Sequence, residues 1–298
     1  MLSARLLLLA PFLLLAGCVD PVGVRDTGQR ITAKPGYTVS RNIVFTPADW
    51  PEPVRGDFYQ PRNSGAKPVP AVLLIHGGGW TGEDGRWQMD PIAKKLVKRG
   101  YAVFNVTYRL APRWNYPAPV DDLNQALAWM QTHAAERGID TTRISTYGYS
   151  AGGYLAAMIG LPEKAGIRCI VMGGSPSDLS FYGGGDLVRQ FLGGRRDEIP
   201  EIYKESSPVN HVEKKSPPVF LYHASQDRLV RPEHLHAMVG AMEKKGVRHE
   251  VLWIPGRGHI AAFLLPGESV DRAIDFIDRE THRADPRKSA SQSTTSRP

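Results

Sequence analysis

The chain has 298 residues, of which 42% are hydrophobic and 22% are charged, with 30 glycines and 24 prolines. This composition is typical of a globular enzyme with many loops and excludes a coiled coil or a largely disordered chain. Much of the net charge of +7 lies at the two ends, in Arg5 and in residues 279–298, and no basic stripe or zinc signature is visible, so we expect no nucleic-acid partner.

Residues 1–17 have the features of an export signal. Arg5 precedes an apolar segment, residues 6–15, that is too short for a comfortable transmembrane helix. The segment ends in Leu15-Ala16-Gly17-Cys18, which resembles the bacterial lipobox, whose cysteine is lipidated and becomes the first mature residue. We therefore predict a lipoprotein signal peptide, a lipid anchor on Cys18 and export to the cell envelope. Val19 stands where an aspartate commonly retains such lipoproteins at the inner membrane, so in a Gram-negative cell we expect the periplasmic face of the outer membrane. The alternative is an ordinary signal peptide with a chance cysteine.

Three segments follow this leader. Residues 18–53 are rich in proline, glycine and threonine without periodicity, which predicts a tether and N-terminal segment. Residues 54–282 are predicted to form one domain, and residues 283–298 a disordered basic tail. Cys169 is the only other cysteine of the chain, and its apolar surroundings in sequence predict a buried core residue.

Within the domain, short apolar runs alternate with amphipathic segments. The runs are of the kind found in strands buried on both faces, and Gly100 is a good stop for the first helix. The alternation predicts an α/β fold, with a largely parallel sheet covered by helices on both faces. The predicted strands are 71–75, 101–108, 143–149, 167–172, 218–223 and 249–254, and the predicted helices are 90–99, 120–135, 151–160 and segments after Pro232 and His259.

A glycine-rich turn comes directly after the first of these strands. His76-Gly77-Gly78-Gly79-Trp80 matches the HGGG motif that supplies backbone N–H donors to a developing oxyanion. Glycines suit this task because no side chain then stands between the amides and the oxygen. We predict Gly78 and Gly79 as two of the donors. The alternative is a glycine turn without function.

The strand at 143–149 runs into a second motif. Gly148-Tyr149-Ser150-Ala151-Gly152 fits G-x-S-x-G, in which a serine is held on a strained turn between strand and helix. Ser150 is therefore the predicted nucleophile, and the amide of Ala151 the third oxyanion donor. A plain Gly-Ser loop is the alternative.

A serine nucleophile needs a histidine base and an acid that orients it. His259 follows the last predicted strand in a glycine-rich loop, and Asp227 follows the strand before it, which gives the chain order Ser, Asp, His. Asp178 is the competing candidate for the acid, or else a loop cap. We interpret His223, His234, His236 and His249 as surface or structural residues. No metal-binding spacing appears, so neither a metal nor another cofactor is expected.

Together these motifs resemble the hormone-sensitive-lipase-like and bacterial acetyl- or feruloyl-esterase-like branches of the α/β hydrolases, over about residues 55–280. The resemblance extends to Tyr108-Arg109-Leu110-Ala111-Pro112, Tyr116-Pro117-Ala118, Asp122 and Ser207-Pro208. It implies an α/β-hydrolase fold and a bracing role for Arg109 and Asp122. Two departures, Tyr149 where aspartate is usual and Ala224 where glycine is usual, favour the smaller acetyl- or feruloyl-esterase-like branch.

The resulting prediction is an anchored serine carboxylesterase that hydrolyses short-acyl esters, either small or carried on a polymer. Two alternatives remain at this stage, an amide or peptide hydrolase with the same triad and a non-catalytic binding protein. Residues 178–216 are long enough to form a cap over the site, or else a surface insertion. Trp80 and Trp114 are candidates either for the pocket wall or for the core.

Overall fold

The computed structural model describes residues 30–34, 36–62, 67–182 and 185–282. The predicted leader, the lipidation site Cys18 and the predicted tail at 283–298 lie outside these residues. Within the described ranges, no helix is both long and apolar enough to cross a membrane.

Nine strands form one sheet, in the order β1-β2-β3-β5-β4-β6-β7-β8-β9. Its last six strands, from β5 to β9 across the sheet, run parallel to one another, and β1, β2 and β3 join them through antiparallel pairs. The strands are β1 (Arg30–Lys34), β2 (Tyr37–Val44), β3 (Arg55–Pro61), β4 (Val69–Ile75), β5 (Ala102–Val106), β6 (Ile139–Tyr149), β7 (Ile170–Gly173), β8 (Val219–Ala224) and β9 (His249–Ile254).

Nine α-helices are described, and the longer ones connect the strands. They are α1 (Arg86–Lys98), α2 (Ala118–Thr132), α3 (Ala134–Arg137), α4 (Ala151–Gly160), α5 (Asp186–Leu192), α6 (Pro200–Glu205), α7 (Glu233–Lys245), α8 (His259–Leu264) and α9 (Ser269–His282). The largely parallel sheet and the predicted α/β-hydrolase fold are confirmed.

The apolar residues of the central strands alternate between the two faces of the sheet, because successive side chains of a strand point in opposite directions. Leu73 of β4 belongs to the core cluster that includes Leu123 of α2 and Leu155 of α4. Its neighbour Leu74 belongs to the cluster that includes Leu96 of α1 and Ile277 of α9. Both faces are thus covered by helices, which explains why these strands are apolar throughout.

The tether prediction for residues 18–53 is wrong for the part that the structure describes. Residues 30–34 and 37–44 are strands, and β2 pairs with β3 in antiparallel register. Tyr37, Val39 and Ile43 of β2 are buried. The domain therefore begins before residue 54, and the alternation of apolar residues in β2 was the signal for it.

The parallel arrangement brings the ends of several strands to one edge of the sheet. The glycine-rich turn follows β4, Ser150 follows β6 and Asp227 follows β8 by three residues. His259 begins α8, shortly after β9 ends. Residues separated by more than 100 positions in the sequence therefore meet at this edge.

Candidate active site

Ser150 occupies a sharp turn between β6 and α4. Its φ of 55° and ψ of −125° lie where non-glycine residues are rare. The turn is possible because strand and helix approach closely: a Cβ on Gly148 would lie 2.1 Å from the carbonyl carbon of Gly152, and one on Gly152 would lie 2.2 Å from the Ile75 oxygen. The sequence G-x-S-x-G therefore forms the tight elbow that it predicts.

The hydroxyl of Ser150 and two side chains from other loops form one hydrogen-bonded row. Ser150 Oγ lies 2.9 Å from His259 Nε2, and His259 Nδ1 lies 2.6 Å from Asp227 Oδ2. If Nδ1–H donates to the carboxylate, Nε2 is free to accept the serine proton. The other carboxylate oxygen, Oδ1, accepts from the amides of Leu229 at 3.0 Å and Val230 at 2.8 Å. The orientation of the acid is thereby fixed.

Tyr149, the residue before the serine, also contacts this row. Its hydroxyl donates to the backbone oxygen of His259 at 2.7 Å, and its ring lies 5.1 Å from the imidazole and 4.9 Å from Phe263. The sequence identified Tyr149 only as a departure from the usual aspartate. In the structure the tyrosine holds the loop that carries His259.

The glycine-rich turn lies directly beside Ser150. Gly78, Gly79 and Trp80 have positive φ values of 109°, 63° and 62°. A Cβ on Gly77 would lie 2.9 Å from the Tyr149 backbone oxygen, so this turn also approaches the elbow closely. None of the backbone hydrogen bonds found in the described residues uses the amide of Gly78, Gly79 or Ala151 as donor. These amides are therefore available to an oxyanion.

His76 supports this turn from beneath. Its Nδ1 donates to the Gly77 oxygen at 2.7 Å, and its Nε2 accepts from Thr107 Oγ1 at 3.0 Å, while the ring stacks on Tyr108. Burial lowers the pKa of His76 to about 4. The ring is therefore neutral near pH 7, as its accepting Nε2 requires.

The competing residues make other contacts. Asp178 accepts from the amide and hydroxyl of Ser180 and caps a short helical turn, in agreement with its interpretation as a loop cap. His223 is buried and its Nε2 donates to the Val230 oxygen at 2.8 Å, which supports the Asp227 loop. His234 is also buried, and its Nδ1 faces the amides of Ser177 and Asp178. Burial lowers the pKa of both histidines.

The predicted brace is present. Arg109 Nε donates to Asp122 Oδ1 at 2.8 Å, and the Arg109 amide donates to Oδ2 at 2.7 Å, with both side chains buried. Trp50 Nε1 also donates to Asp122. The guanidinium lies 4.7 Å from the ring centre of Trp114, which therefore packs against the brace, whereas Trp80 lines the cavity.

The cavity in front of Ser150 has a volume of about 540 Å³. Tyr182 and residues 185–188, from the segment predicted as a cap or an insertion, line it, as do Trp80 and Phe263. Further back, Phe191 stacks on Trp80 with ring centres 4.4 Å apart. The segment thus contributes to the site.

Neither a metal centre nor a reactive thiol is indicated in the described ranges. No group of three or more histidine, cysteine, aspartate or glutamate side chains suited to a metal ion occurs there. Cys169 is buried beside Ser145, and burial raises the pKa of its thiol to about 12. Cys169 is therefore a core residue and not a thiolate nucleophile.

Comparison with known proteins places this architecture in a family. The family model BD-FAE matches residues 57–242. Esterase LipC of Mycobacterium tuberculosis is 26% identical over 225 residues, which cover 68% of this chain and 56% of LipC. The chain spans about half the length of the curated relatives that it matches.

Two solved structures show the same fold. A truncated carbohydrate esterase from gut microbiota superimposes with a TM-score of 0.76 at 20% identity, covering 85% of this chain and all (100%) of that one. Esterase 2 of Thermogutta terrifontis with bound propionate gives a TM-score of 0.69 at 25% identity, over 82% of this chain and 94% of that one. Because the family model covers more than half of the sequence, the chain belongs to the BD-FAE family and has the α/β-hydrolase fold.

Proposed function

We propose that the protein is a serine carboxylesterase in which Ser150, His259 and Asp227 form the catalytic triad. The observation that carries this proposal is the row of hydrogen bonds from Ser150 through His259 to Asp227. The unpaired amides of the glycine-rich turn, which lines the same cavity as Ser150, add to its support. A nucleophile, a base, an orienting acid and oxyanion donors are the parts that acyl transfer requires.

The reaction proceeds in two halves. His259 Nε2 takes the proton of Ser150 as Oγ attacks the ester carbonyl, and the amides of Gly78, Gly79 and Ala151 stabilise the negative oxygen of the tetrahedral intermediate. The imidazolium then protonates the leaving alcohol, and the acyl group remains on Ser150. Water, deprotonated by His259, attacks this acyl-enzyme, and the imidazolium returns the proton to Ser150 Oγ as the acid is released. Asp227 stabilises the charged imidazole in both halves. The proposed reaction requires no cofactor.

We further propose that the acyl group is short, of about two to four carbons. Trp80 and Leu187 line the cavity beside the glycine-rich turn, where the Leu187 side chain comes within 3.1 Å of the position of a Cβ on Gly79. Thermogutta terrifontis esterase 2 has been solved with propionate and with butyrate bound. Support for the short acyl group therefore comes from this chain and from a relative.

The test compares four variants with p-nitrophenyl acetate as substrate. Ser150→Ala and His259→Ala should each abolish hydrolysis, and Asp227→Asn should lower kcat on the order of 10³-fold or more, because the imidazole loses its orienting acceptor. Asp178→Asn is the matched control and should retain activity. Circular dichroism and the Tm show whether each variant is folded.

Two outcomes would overturn the proposal. If folded Ser150→Ala or His259→Ala protein still hydrolysed the ester, the proposed triad would be ruled out. Faster hydrolysis of N-acetyl-p-nitroaniline than of p-nitrophenyl acetate, with the same acyl group, would make the protein an amide hydrolase instead.

The lipid anchor is a separate proposal that rests on residues 15–18 alone. We propose that Cys18 is acylated and holds the enzyme at the cell envelope, where two or more chains give stable binding. Incorporation of labelled palmitate into the wild type and not into Cys18→Ser is the expected result. Equal labelling of both proteins would contradict it.

A further inference from the structure

The mouth of the catalytic cavity is surrounded by exposed aliphatic side chains. Three residues both line the cavity and face solvent: Leu187 is 41% exposed, Leu229 is 50% exposed and Ile260 is 61% exposed. Leu264, one turn further along α8 than Ile260, is 68% exposed. We call these four residues the apolar collar. Exposed apolar side chains grouped at a cavity are a sign of ligand contact.

Two members of the apolar collar are tied to the acid and base of the triad. Ile260 follows His259 directly in α8. Leu229 donates its amide to Asp227 at 3.0 Å, and its backbone oxygen accepts from the Tyr182 hydroxyl at 3.4 Å. This half of the apolar collar therefore lies on the histidine side of Ser150, opposite the glycine-rich turn.

The chemistry assigns a substrate part to that side. His259 must protonate the oxygen of the leaving alcohol, so the alcohol leaves past the imidazole and the acyl group stays with Ser150 and the oxyanion donors. Leu229 and Ile260 line the cavity on that side and are thus in position to contact the alcohol part of the ester, and Leu264, one helical turn beyond Ile260, can contact a longer alcohol.

The histidine side offers few partners to a polar alcohol. Apart from Ser150 and His259, five side chains with polar atoms line the cavity in the part of the chain that the structure describes: Trp80, Gln88, Tyr149, Tyr182 and Asp186. Trp80 ends the glycine-rich turn, Gln88 lies near His76 at the start of that turn, and Asp186 precedes Leu187, which contacts Gly79, so Tyr149 and Tyr182 are the polar side chains left on the histidine side. Tyr149 and Tyr182 already donate to backbone oxygens, and Asp186 pairs with Arg189 at 3.1 Å. A sugar would lose hydration at its hydroxyl groups here without gaining equivalent hydrogen bonds.

We infer that the enzyme is selective for esters of apolar alcohols, whose alkyl or aryl group packs on Leu229, Ile260 and Leu264, over esters of sugars. The inference rests on the proposed carboxylesterase function and narrows the substrate to a class. Of the two predicted kinds of substrate, a small hydrophobic ester and an ester carried on a polar polymer, it selects the first.

The experiment holds the acyl group constant and varies the alcohol. The purified protein is assayed by acid release with ethyl, butyl and hexyl acetate and with 6-O-acetylglucose, each kept below its solubility limit. Because all four are acetates of primary alcohols, the reacting atoms are alike and differences in kcat/KM report contacts of the alcohol. Hexyl acetate and acetylglucose also match in carbon number.

We expect kcat/KM to rise about two-fold per added methylene, as for a methylene that is roughly half buried, or about ten-fold or more from ethyl to hexyl acetate. Acetylglucose should be the poorer substrate by at least ten-fold relative to hexyl acetate. Ile260→Ser and Leu229→Ser should each reduce the hexyl-to-ethyl ratio of kcat/KM several-fold. Val44→Ser changes an aliphatic residue of β2 that is 45% exposed and does not line the cavity, so this control should keep the wild-type ratio.

The outcomes separate the two proposals. A kcat/KM that does not rise with alcohol length, or acetylglucose hydrolysed as fast as hexyl acetate, overturns the apolar-alcohol inference and leaves the esterase proposal standing. Unchanged ratios in both serine variants overturn the assignment of the apolar collar. Absence of hydrolysis of every acetate, p-nitrophenyl acetate included, overturns the esterase proposal and this inference with it.

Discussion

The turn at Ser150 depends on the glycines that flank it. A non-glycine residue at positive φ costs on the order of 1–3 kcal/mol and persists only when its surroundings hold it there. The amide of Ser150 donates to the Gly173 oxygen at 2.7 Å, and the glycines on either side let β6, α4 and the end of β4 meet. The position of the Ser150 hydroxyl in the cavity therefore requires a residue without a Cβ at position 152.

A methyl group at Gly152 should be poorly tolerated. In Gly152→Ala the new Cβ would lie 2.2 Å from the Ile75 oxygen and 2.5 Å from the His76 oxygen, both backbone atoms that cannot rotate away. We expect the free energy of unfolding to fall by about 3 kcal/mol and esterase activity to fall with it, because the elbow must move. Urea unfolding followed by tryptophan fluorescence measures the first effect.

The control for this substitution is Gly240→Ala in α7. A Cβ there meets nothing within 4 Å, so alanine should stabilise the helix by about 0.5–1 kcal/mol. A Gly152→Ala protein with the wild-type urea midpoint would contradict the close approach described for the elbow.

At the scale of secondary-structure elements, three aromatic rings connect the parts that carry the proposed oxyanion donors. Trp80, at the end of the glycine-rich turn, stacks on Phe191 of α5 with an interplanar angle of 9°. Both rings meet Tyr154 of α4 edge-on, with ring centres 5.1 Å and 5.6 Å away. Since Gly78 and Gly79 belong to the turn and Ala151 begins α4, these rings fix the spacing between the two sets of proposed donors.

Loss of the flat ring at Phe191 should therefore weaken stabilisation of the transition state. We expect Phe191→Leu to lower kcat on p-nitrophenyl acetate about ten-fold with little change in KM. This loss is smaller than that caused by removing a whole oxyanion donor, which is on the order of 10²–10³-fold. Affinity for a trifluoromethyl ketone, which forms a tetrahedral adduct with serine, should fall by a similar factor.

Phe276→Leu in α9 is the matched control. Phe276 is equally buried but belongs to the core on the other side of the sheet, against Phe220. The Phe276→Leu protein should lose about as much stability as the Phe191→Leu protein and should keep the wild-type kcat. Equal losses of kcat in the two variants would show that Phe191 acts only through stability.

For the whole molecule, the sequence predicted local elements and the residues that follow strand ends, and it missed the other side-chain contacts between distant segments. The bounds of α4 and β9 match the predicted ranges, because each is a continuous run with clear ends. The row of Ser150, His259 and Asp227 was predictable because each residue follows a strand of a parallel sheet, and such ends converge. The contact of Tyr149 with His259 and the stack of Phe191 on Trp80 were not, since they join segments more than 100 residues apart.

The edge of the sheet was missed for a related reason. β2 is held by its pairing with β3 and by the ion pair of Arg41 with Asp57, a contact across 16 positions. Its proline- and glycine-containing flanks suggest a tether when the segment is read alone. The alternation of apolar residues in β2 identifies a strand only once its pairing with β3 is known.

Buried neutral histidines make the stability of the whole fold sensitive to acid. Burial, reinforced by the nearby His223, lowers the pKa of His234 to about 4, whereas an unfolded histidine has a pKa of about 6.5. Between these values the unfolded chain binds a proton that the folded chain does not. The free energy of unfolding therefore falls as the pH drops from about 6.5 to about 4, and the contribution of His234 is complete below that range. His76 acts in the same direction.

His234→Asn should remove one of these two contributions. The asparagine oxygen can take the place of Nδ1 as acceptor for the amides of Ser177 and Asp178, but it does not titrate. We expect the loss of unfolding free energy between pH 7 and pH 4 to be smaller in the variant by on the order of 3 kcal/mol, as urea titrations at several pH values would measure. His282→Asn, at an exposed position, should retain the wild-type pH dependence. An identical loss in His234→Asn and the wild type would mean that His234 takes up its proton without unfolding, and that acid sensitivity has to come from other groups.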